Sequence, residues 1–114
     1  MKIERFEDII AWQKGKMLAV DIYECFKPCK DFSFRDQIQR AVISISNNIA
    51  EGFERQSNKE LSKFLFIAKG SCAEVRSMLY IALELKYITK KDFKGFYLTS
   101  QEISKILSGL IKTL

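Results

Sequence analysis

The longest uninterrupted stretch of the chain reads SNKELSKFLFIAKGSCAEVRSMLYIALELK and runs from Ser57 to Lys86. Apolar residues recur along it at intervals of three and four, which is the period of an α-helix with one buried side. Ser57 and Glu60 have the spacing of a capping box, in which the hydroxyl and the carboxylate each bind the other residue's backbone amide. The stretch therefore predicts one long helix that begins at Ser57 and ends at about Lys86.

Three further segments show the same periodicity and predict helices over residues 8–26, 34–53 and 89–113. Asp8 is the predicted N-cap of the first, and Thr89 with Asp92 resembles a second capping box. Short connections between long helices force neighbouring helices to run antiparallel. Residues 1–114 are therefore predicted to form a single all-α domain, an up-down-up-down antiparallel four-helix bundle.

The composition agrees with a bundle of this size. One proline and five glycines in 114 residues leave few positions where a helix must stop. No apolar run approaches the ~20 residues that a membrane span needs, and the charged opening Lys2, Glu4, Arg5 is unlike a signal peptide. We therefore expect a soluble, cytoplasmic protein with no membrane partner.

Residues for catalysis or metal binding are scarce. The chain has no histidine, which removes the commonest general base and the commonest metal ligand. Its three cysteines, Cys25, Cys29 and Cys72, are an odd number and are interpreted as reduced, mostly structural thiols. The sequence predicts that the protein is not an enzyme and has neither a metal nor a cofactor.

The helix predicted over residues 57–86 has more apolar surface than one core stripe requires. That stripe contains Leu61, Phe64, Ala68, Cys72, Val75 and Leu79. Phe66, Tyr80 and Ile81 fall on the opposite side with Ala73 between them, and burial of that side calls for another subunit. These four residues are the predicted oligomer interface. The alternative is that they are singly exposed apolar residues, which are common on protein surfaces.

A line of polar residues follows the second predicted helix beside its core stripe. It consists of Gln37, Arg40, Ser44, Asn47 and Glu51, and Asn48 lies at the edge of the apolar side. Asparagine and serine are poor helix formers, so some compensating interaction is implied. One interpretation is a hydrogen-bonded network that fixes the register of the helices or a contact between subunits. The other is a polar groove for a ligand or for sugar-phosphate.

Basic residues are concentrated toward the end of the chain. Lys94, Lys105 and Lys112 project to one face of the last helix, and Lys86, Lys90 and Lys91 cluster at the turn before it. The formal net charge is +5. Lysines supply point charges that suit phosphates and read little base sequence. These six lysines are the predicted nucleic-acid contacts, although a lysine-rich face can also serve solubility alone.

The second helix contains RAVISISNNIAEGF (Arg40–Phe53), and the third contains FLFIAKGSCAE (Phe64–Glu74). Together with Trp12-Gln13-Lys14 near the start, these motifs resemble a bacterial family of four-helix-bundle proteins encoded in intervening sequences of large-subunit ribosomal RNA genes. The resemblance covers nearly the whole chain. The matching positions Arg40, Asn47, Asn48, Glu51 and Gly70 are assigned as fold signature only, because the family has no catalytic residue to transfer.

The resemblance implies a bundle that assembles as a ring-like homopentamer. It also implies kinship with the accessory variability determinant of diversity-generating retroelements, a basic pentamer that binds nucleic acid and partners a reverse transcriptase. For most members of the family the biological role is unknown.

Three functions remain open from the sequence. The preferred one is a homo-oligomeric module that binds RNA or DNA through phosphate contacts. The alternative is a protein-interaction scaffold, for example for a polymerase, that binds no nucleic acid itself. A third is a small-molecule-binding bundle with a core cavity near Trp12 and Asn48.

Overall fold

The computed structural model describes residues 3–114, which fold as four helices and one short turn. A single 3-10 turn, Phe6–Asp8, precedes the helices α1 (Ile10–Phe26), α2 (Phe32–Glu54), α3 (Asn58–Glu84) and α4 (Lys90–Lys112). Each helix packs against the one before it and the one after it, and α1 also packs against α4. This arrangement confirms the predicted all-α four-helix bundle. Its long axis measures 42 Å, which is about the length of a 27-residue helix.

The helix starts are set by short polar side chains. Ser57 accepts a hydrogen bond from the backbone amide of Glu60, and Thr89 accepts one from that of Asp92. The second half of the predicted capping box differs, because the Glu60 carboxylate lies 4.0 Å from the Arg55 guanidinium instead. Asp31 caps α2, so this helix begins at Phe32, two residues before the predicted start.

The prediction that Asp8 caps the first helix is wrong. Asp8 is the last residue of the 3-10 turn, and its own amide donates to the carbonyl of Arg5 over 3.1 Å. The N-cap of α1 is Ile9, which makes no side-chain cap and is only 4 % exposed. Burial of Ile9 in the core fixes this helix start, where polar capping was expected.

The end of α3 also differs from the prediction, since Lys86 lies beyond the helix. Its φ angle is 62°, in the left-handed region. The amide of Lys86 donates to Leu83 and the amide of Tyr87 donates to Ala82. These bonds form the Schellman arrangement that terminates helices and usually contains glycine. Gln56, with φ 59°, holds the corresponding place after α2.

The core runs through the centre of the bundle and draws on every helix. Its fully buried large side chains include Phe26, Ile22, Ile38, Ile45, Ile49, Leu65, Leu79, Ile103 and Leu107. On α3 the buried stripe runs in the predicted direction, with Ala68, Cys72, Val75 and Leu79 all fully buried. It differs in width and at its start. Leu65, Met78 and Ala82 are buried, whereas Leu61 and Phe64 are only half-buried.

Glycine permits the close approach of α2 to α3. A Cβ atom on Gly52 would lie 2.6 Å from the Cβ of Phe64 and 3.3 Å from Cδ1 of Leu61. Such a distance to a Cβ atom cannot be relieved by rotating a side chain, so Gly52 sets the spacing of the two helices there. None of the helices between residues 3 and 114 has the length and hydropathy that crossing a membrane requires.

Candidate nucleic-acid interface

The outer face of α4 is lined by lysines. Lys90, Lys91, Lys94, Lys105 and Lys112 are all exposed on this helix, and Lys86 is exposed just before it. We call these six residues the lysine face. Lys90, Lys94, Lys105 and Lys112 share one side because their spacings of four, eleven and seven residues are near whole helical turns.

Negative charge on α4 is directed away from the lysine face. The helix has two carboxylates, Asp92 and Glu102. Asp92 accepts a hydrogen bond from the Cys25 thiol at 3.7 Å, and Glu102 lies 3.3 Å from the ammonium group of Lys14. Both partners belong to α1, so both carboxylates lie on the α1 side. The outer face of α4 therefore carries lysines toward both of its ends, with Gln101 between Lys94 and Lys105.

Five basic residues outside the lysine face are held in ion pairs. Arg5, Lys14, Lys27, Arg35 and Arg55 each have a carboxylate within 4.0 Å. Within residues 3–114, none of the six lysines of the lysine face has such a partner. Among the same residues, this is also true of seven other basic side chains: Lys16, Lys30, Arg40, Lys59, Lys63, Lys69 and Arg76. The charges of the lysine face are thus not neutralised by the protein itself, and the positive potential they create extends into solvent.

Polar and aromatic contacts join α3 to α4 beside the lysine face. The Lys69 ammonium donates to the Ser108 hydroxyl over 2.7 Å across the two helices. Tyr80 packs against Phe93 and Tyr97 of α4, with ring centroids 5.1 and 5.5 Å apart. The periodicity of a single helix does not reveal this contact, because it joins residues of two helices.

Arg76 lies on the same side of α3, one helical turn before Tyr80. Its Nη1 atom is buried and has no hydrogen-bond partner among the described residues. A buried donor without an acceptor costs about 1–3 kcal/mol. No pattern in the sequence marks this residue, because its burial depends on how α3 packs against α4.

The outer face of α3 is apolar and lies beside the lysine face. The predicted interface residues Phe66, Tyr80 and Ile81 are 57 %, 52 % and 47 % exposed, and Ala73 between them is also exposed. A Cβ atom on Gly70 would meet nothing within 4 Å. We call Phe66, Gly70, Ala73 and Ile81 the apolar face. Its small central residues would allow the backbone of another helix to come close.

The signature residues of α2 divide between two roles. The Asn48 amide donates to the backbone carbonyl and the hydroxyl of Ser44, at 2.7 and 2.8 Å, and Ser71 of α3 donates to the same hydroxyl at 2.9 Å. This network ties α2 to α3 and includes Ser44 of the polar line, whereas Gln37, Arg40, Asn47 and Glu51 are exposed. The other signature residues Arg40, Asn47, Glu51 and Gly70 are exposed, and Glu51 pairs with Arg55 at 3.0 Å.

Two of the cysteines have a thiol pKa above the ordinary value. Burial raises the pKa of Cys72 to about 11. Burial, followed by the charge of Asp92, raises the pKa of Cys25 to about 11 as well. Both side chains are therefore protonated at neutral pH, and the thiolate is the reactive form. In the part of the chain that the structure describes, no group of three or more cysteine and acidic side chains is placed to hold a metal ion.

The hypothesis of a core cavity near Trp12 and Asn48 gains no support from their contacts. The Trp12 ring packs edge-on against Phe6 at 5.1 Å, and the Lys16 ammonium lies 5.6 Å from its centre. The Asn48 amide donates within α2.

The family model for the 23S rRNA-intervening sequence protein matches residues 7–109. The chain belongs to this family. The matched segment includes all of α1, α2 and α3 and most of α4, so it contains nearly the whole bundle and every lysine of the lysine face except Lys112. This confirms the resemblance drawn from the motifs of α2 and α3.

A solved structure has the same fold. It is the crystal structure of a protein with unknown function from the S23 ribosomal protein family of Bacteroides thetaiotaomicron VPI-5482. The two chains are 28 % identical and superpose with a TM-score of 0.84, covering 90 % of this chain and 96 % of that one. No curated protein matches the sequence. The 23S rRNA-intervening sequence protein family thus supplies the fold and the lineage of this chain.

Proposed function

We propose that this protein is a non-enzymatic, homo-oligomeric module of the cytoplasm that binds RNA or DNA through phosphate contacts at the lysine face. The proposal is carried by the charges on the outer side of α4. There the lysines have no carboxylate partner among residues 3–114, and both acidic residues of the helix face α1. An unpaired row of cations attracts a polyanion and releases its counterions on binding.

The length of the lysine face favours a polymer over a small anion. Lys94 and Lys112 are 18 residues apart on one helix, a rise of about 27 Å. A mononucleotide or an inorganic phosphate cannot touch both ends at once. A nucleic-acid backbone carries phosphates along this whole distance, because one strand of B-DNA has one charge per ~3.4 Å.

Titration of a labelled structured RNA and a labelled duplex DNA, followed by fluorescence anisotropy at several salt concentrations, tests the proposal. We expect the logarithm of the binding constant to fall linearly with the logarithm of the salt concentration. The slope is about −0.9 for each neutralised phosphate of a duplex. If neither probe binds at low salt, the lysine face serves solubility and the proposal fails.

Lys86 provides a test in which stability and binding move in opposite directions. Replacing Lys86 by glycine is expected to stabilise the fold by about 1 kcal/mol, because a left-handed residue other than glycine is strained. The same variant is expected to bind nucleic acid less tightly, with a salt slope smaller by about one. Urea unfolding and the anisotropy titration measure the two effects.

Gln56→Gly is the matched control, since Gln56 has the same backbone conformation at the end of α2. It should gain stability without any change in binding. If Lys86→Gly binds nucleic acid as tightly as the unmodified protein, Lys86 does not belong to the site.

The apolar face supports the oligomeric part of the proposal. Replacing Ala73 by glutamate would place a charge at the middle of this face, where burial against another copy would be costly. We expect the variant to sediment as a monomer with unchanged helix content. Val20→Glu, which replaces an exposed apolar residue of α1 that is 56 % exposed, should leave the assembly intact. If the native protein sediments as a monomer at all concentrations, the apolar face is not an interface between copies of this chain.

The same apolar face also suits the second candidate function, a scaffold that contacts another protein such as a polymerase. In that case the native protein would be monomeric alone and would retain a stoichiometric protein partner after nuclease treatment.

A further inference from the structure

An aromatic cluster lies on the outer side of the bundle, where α3 meets α4. The rings of Phe93 and Tyr97 stack at 5.5 Å with an interplanar angle of 27°, and Tyr80 packs against both. Tyr80 is nevertheless 52 % exposed. Its ring is therefore fixed by two neighbours while about half of its surface remains open to solvent.

Cations surround this cluster. On α4, Lys90 lies three residues before Phe93, and Lys94 lies three residues before Tyr97, so each lysine is about one turn from a ring. On α3, Arg76 lies one turn before Tyr80, and its buried Nη1 lacks a hydrogen-bond partner among residues 3–114. Aromatic rings alternating with unpaired cations along a surface are the elements with which proteins hold single strands.

We propose that the lysine face binds single-stranded nucleic acid in preference to duplex, with a base stacked on Tyr80 beside Tyr97 and the flanking phosphates at Lys90 and Lys94. The inference rests on the proposed function and specifies its ligand. In a duplex the base faces are already stacked on each other, so a protein ring has access to them only in a single strand. The proposal assigns Tyr80 to the lysine face, whereas the sequence placed it in the oligomer interface.

Stacking adds to the phosphate contacts without reading the base sequence. Every base has an aromatic face, so the preference for a single strand should hold for different sequences. One carboxylate opposes binding, because Glu84 is exposed one turn after Tyr80. Removing its charge by Glu84→Gln should therefore strengthen the binding of a single strand a few-fold.

The test uses three fluorescein-labelled probes at one salt concentration: a 12-nucleotide single strand, a 12-nucleotide strand with abasic sites throughout, and a 12-base-pair duplex. The abasic strand keeps the phosphates and lacks the bases. We expect the ordinary strand to bind about 10-fold tighter than the abasic strand, which corresponds to one stacked base. It should also bind more tightly than the duplex.

Substitutions of single tyrosines test whether Tyr80 is the residue on which the base stacks. Tyr80→Ala should abolish the preference for the ordinary strand over the abasic one, and Tyr80→Phe should retain it because the ring remains. Tyr23→Ala is the matched control, since Tyr23 is an exposed tyrosine of α1 beside Gln39 and Arg40 of α2. It should leave the preference unchanged. Circular dichroism of each variant establishes that the helices are intact.

The possible results separate the two proposals. Equal binding of the ordinary and abasic strands, or tighter binding of the duplex, would overturn base stacking while the phosphate-binding module stands. A preference that survives in Tyr80→Ala would overturn the assignment to Tyr80. Failure of all three probes to bind at low salt would overturn the proposed function itself.

Discussion

Reversing Lys94, Lys105 and Lys112 to glutamate is expected to abolish nucleic-acid binding at physiological salt. The three side chains are exposed and share one side of α4. Each lost phosphate contact should reduce the salt slope by about one. Three losses, together with repulsion by the new carboxylates, should weaken binding by at least about 100-fold. Anisotropy titrations over a range of salt concentrations measure both the affinity and the slope.

The control variant must have the same net charge, with the reversed residues at other positions on the surface. Lys16, Lys27 and Arg35 lie on α1, at its C-terminal end and on α2. Reversing these three lowers the formal net charge from +5 by two for each residue, as the first variant does. If binding responds to net charge alone, both variants will lose it equally. Unchanged binding in the first variant would show that the lysine face is not the site.

Gly52→Ala is expected to destabilise the bundle markedly, because it adds a methyl group where α2 and α3 are in close contact. The new Cβ would lie 2.6 Å from the Cβ of Phe64, an atom held close to the α3 backbone. The two helices must separate to make room, and overpacking of this kind costs about 1–3 kcal/mol. We expect a lower urea midpoint and a melting temperature several degrees below that of the unmodified protein.

Gly109→Ala is the matched control for this substitution. A Cβ atom on Gly109 would meet nothing within 4 Å, and the residue lies inside α4. Alanine should stabilise an exposed helix position by about 0.5–1 kcal/mol relative to glycine. The same substitution should therefore lower the free energy of unfolding at Gly52 and raise it at Gly109. If Gly52→Ala is stabilising as well, α2 and α3 do not require glycine at their contact.

The helices and their connectivity follow from local properties of the sequence. Periodic apolar residues and the caps Ser57 and Thr89 suffice to locate α3 and α4, because both signals act within a few residues of the chain. The start of α1 could not be located in this way. There Ile9 is held by burial in the core, and a nearby aspartate gives the wrong signal.

Only part of the candidate interface could be predicted from the sequence. The row of lysines is visible in the spacing of the residues. The positions of Asp92 and Glu102 depend on contacts with α1, and the cluster around Tyr80 depends on the rotation of α3 against α4. These rotations are decided by the packing of the whole core, which no single helix specifies.

The apolar face and the lysine face lie side by side on α3 and α4, and they do not overlap apart from the edge at Tyr80. Copies joined through the first would therefore leave the second open, and each copy would add another anchoring point for the same strand. A strand bound to two copies dissociates only when both contacts are broken at the same time, because a broken contact re-forms quickly while the other persists. Residence time would then rise steeply with strand length, and short fragments would exchange freely on an assembly that retains long transcripts.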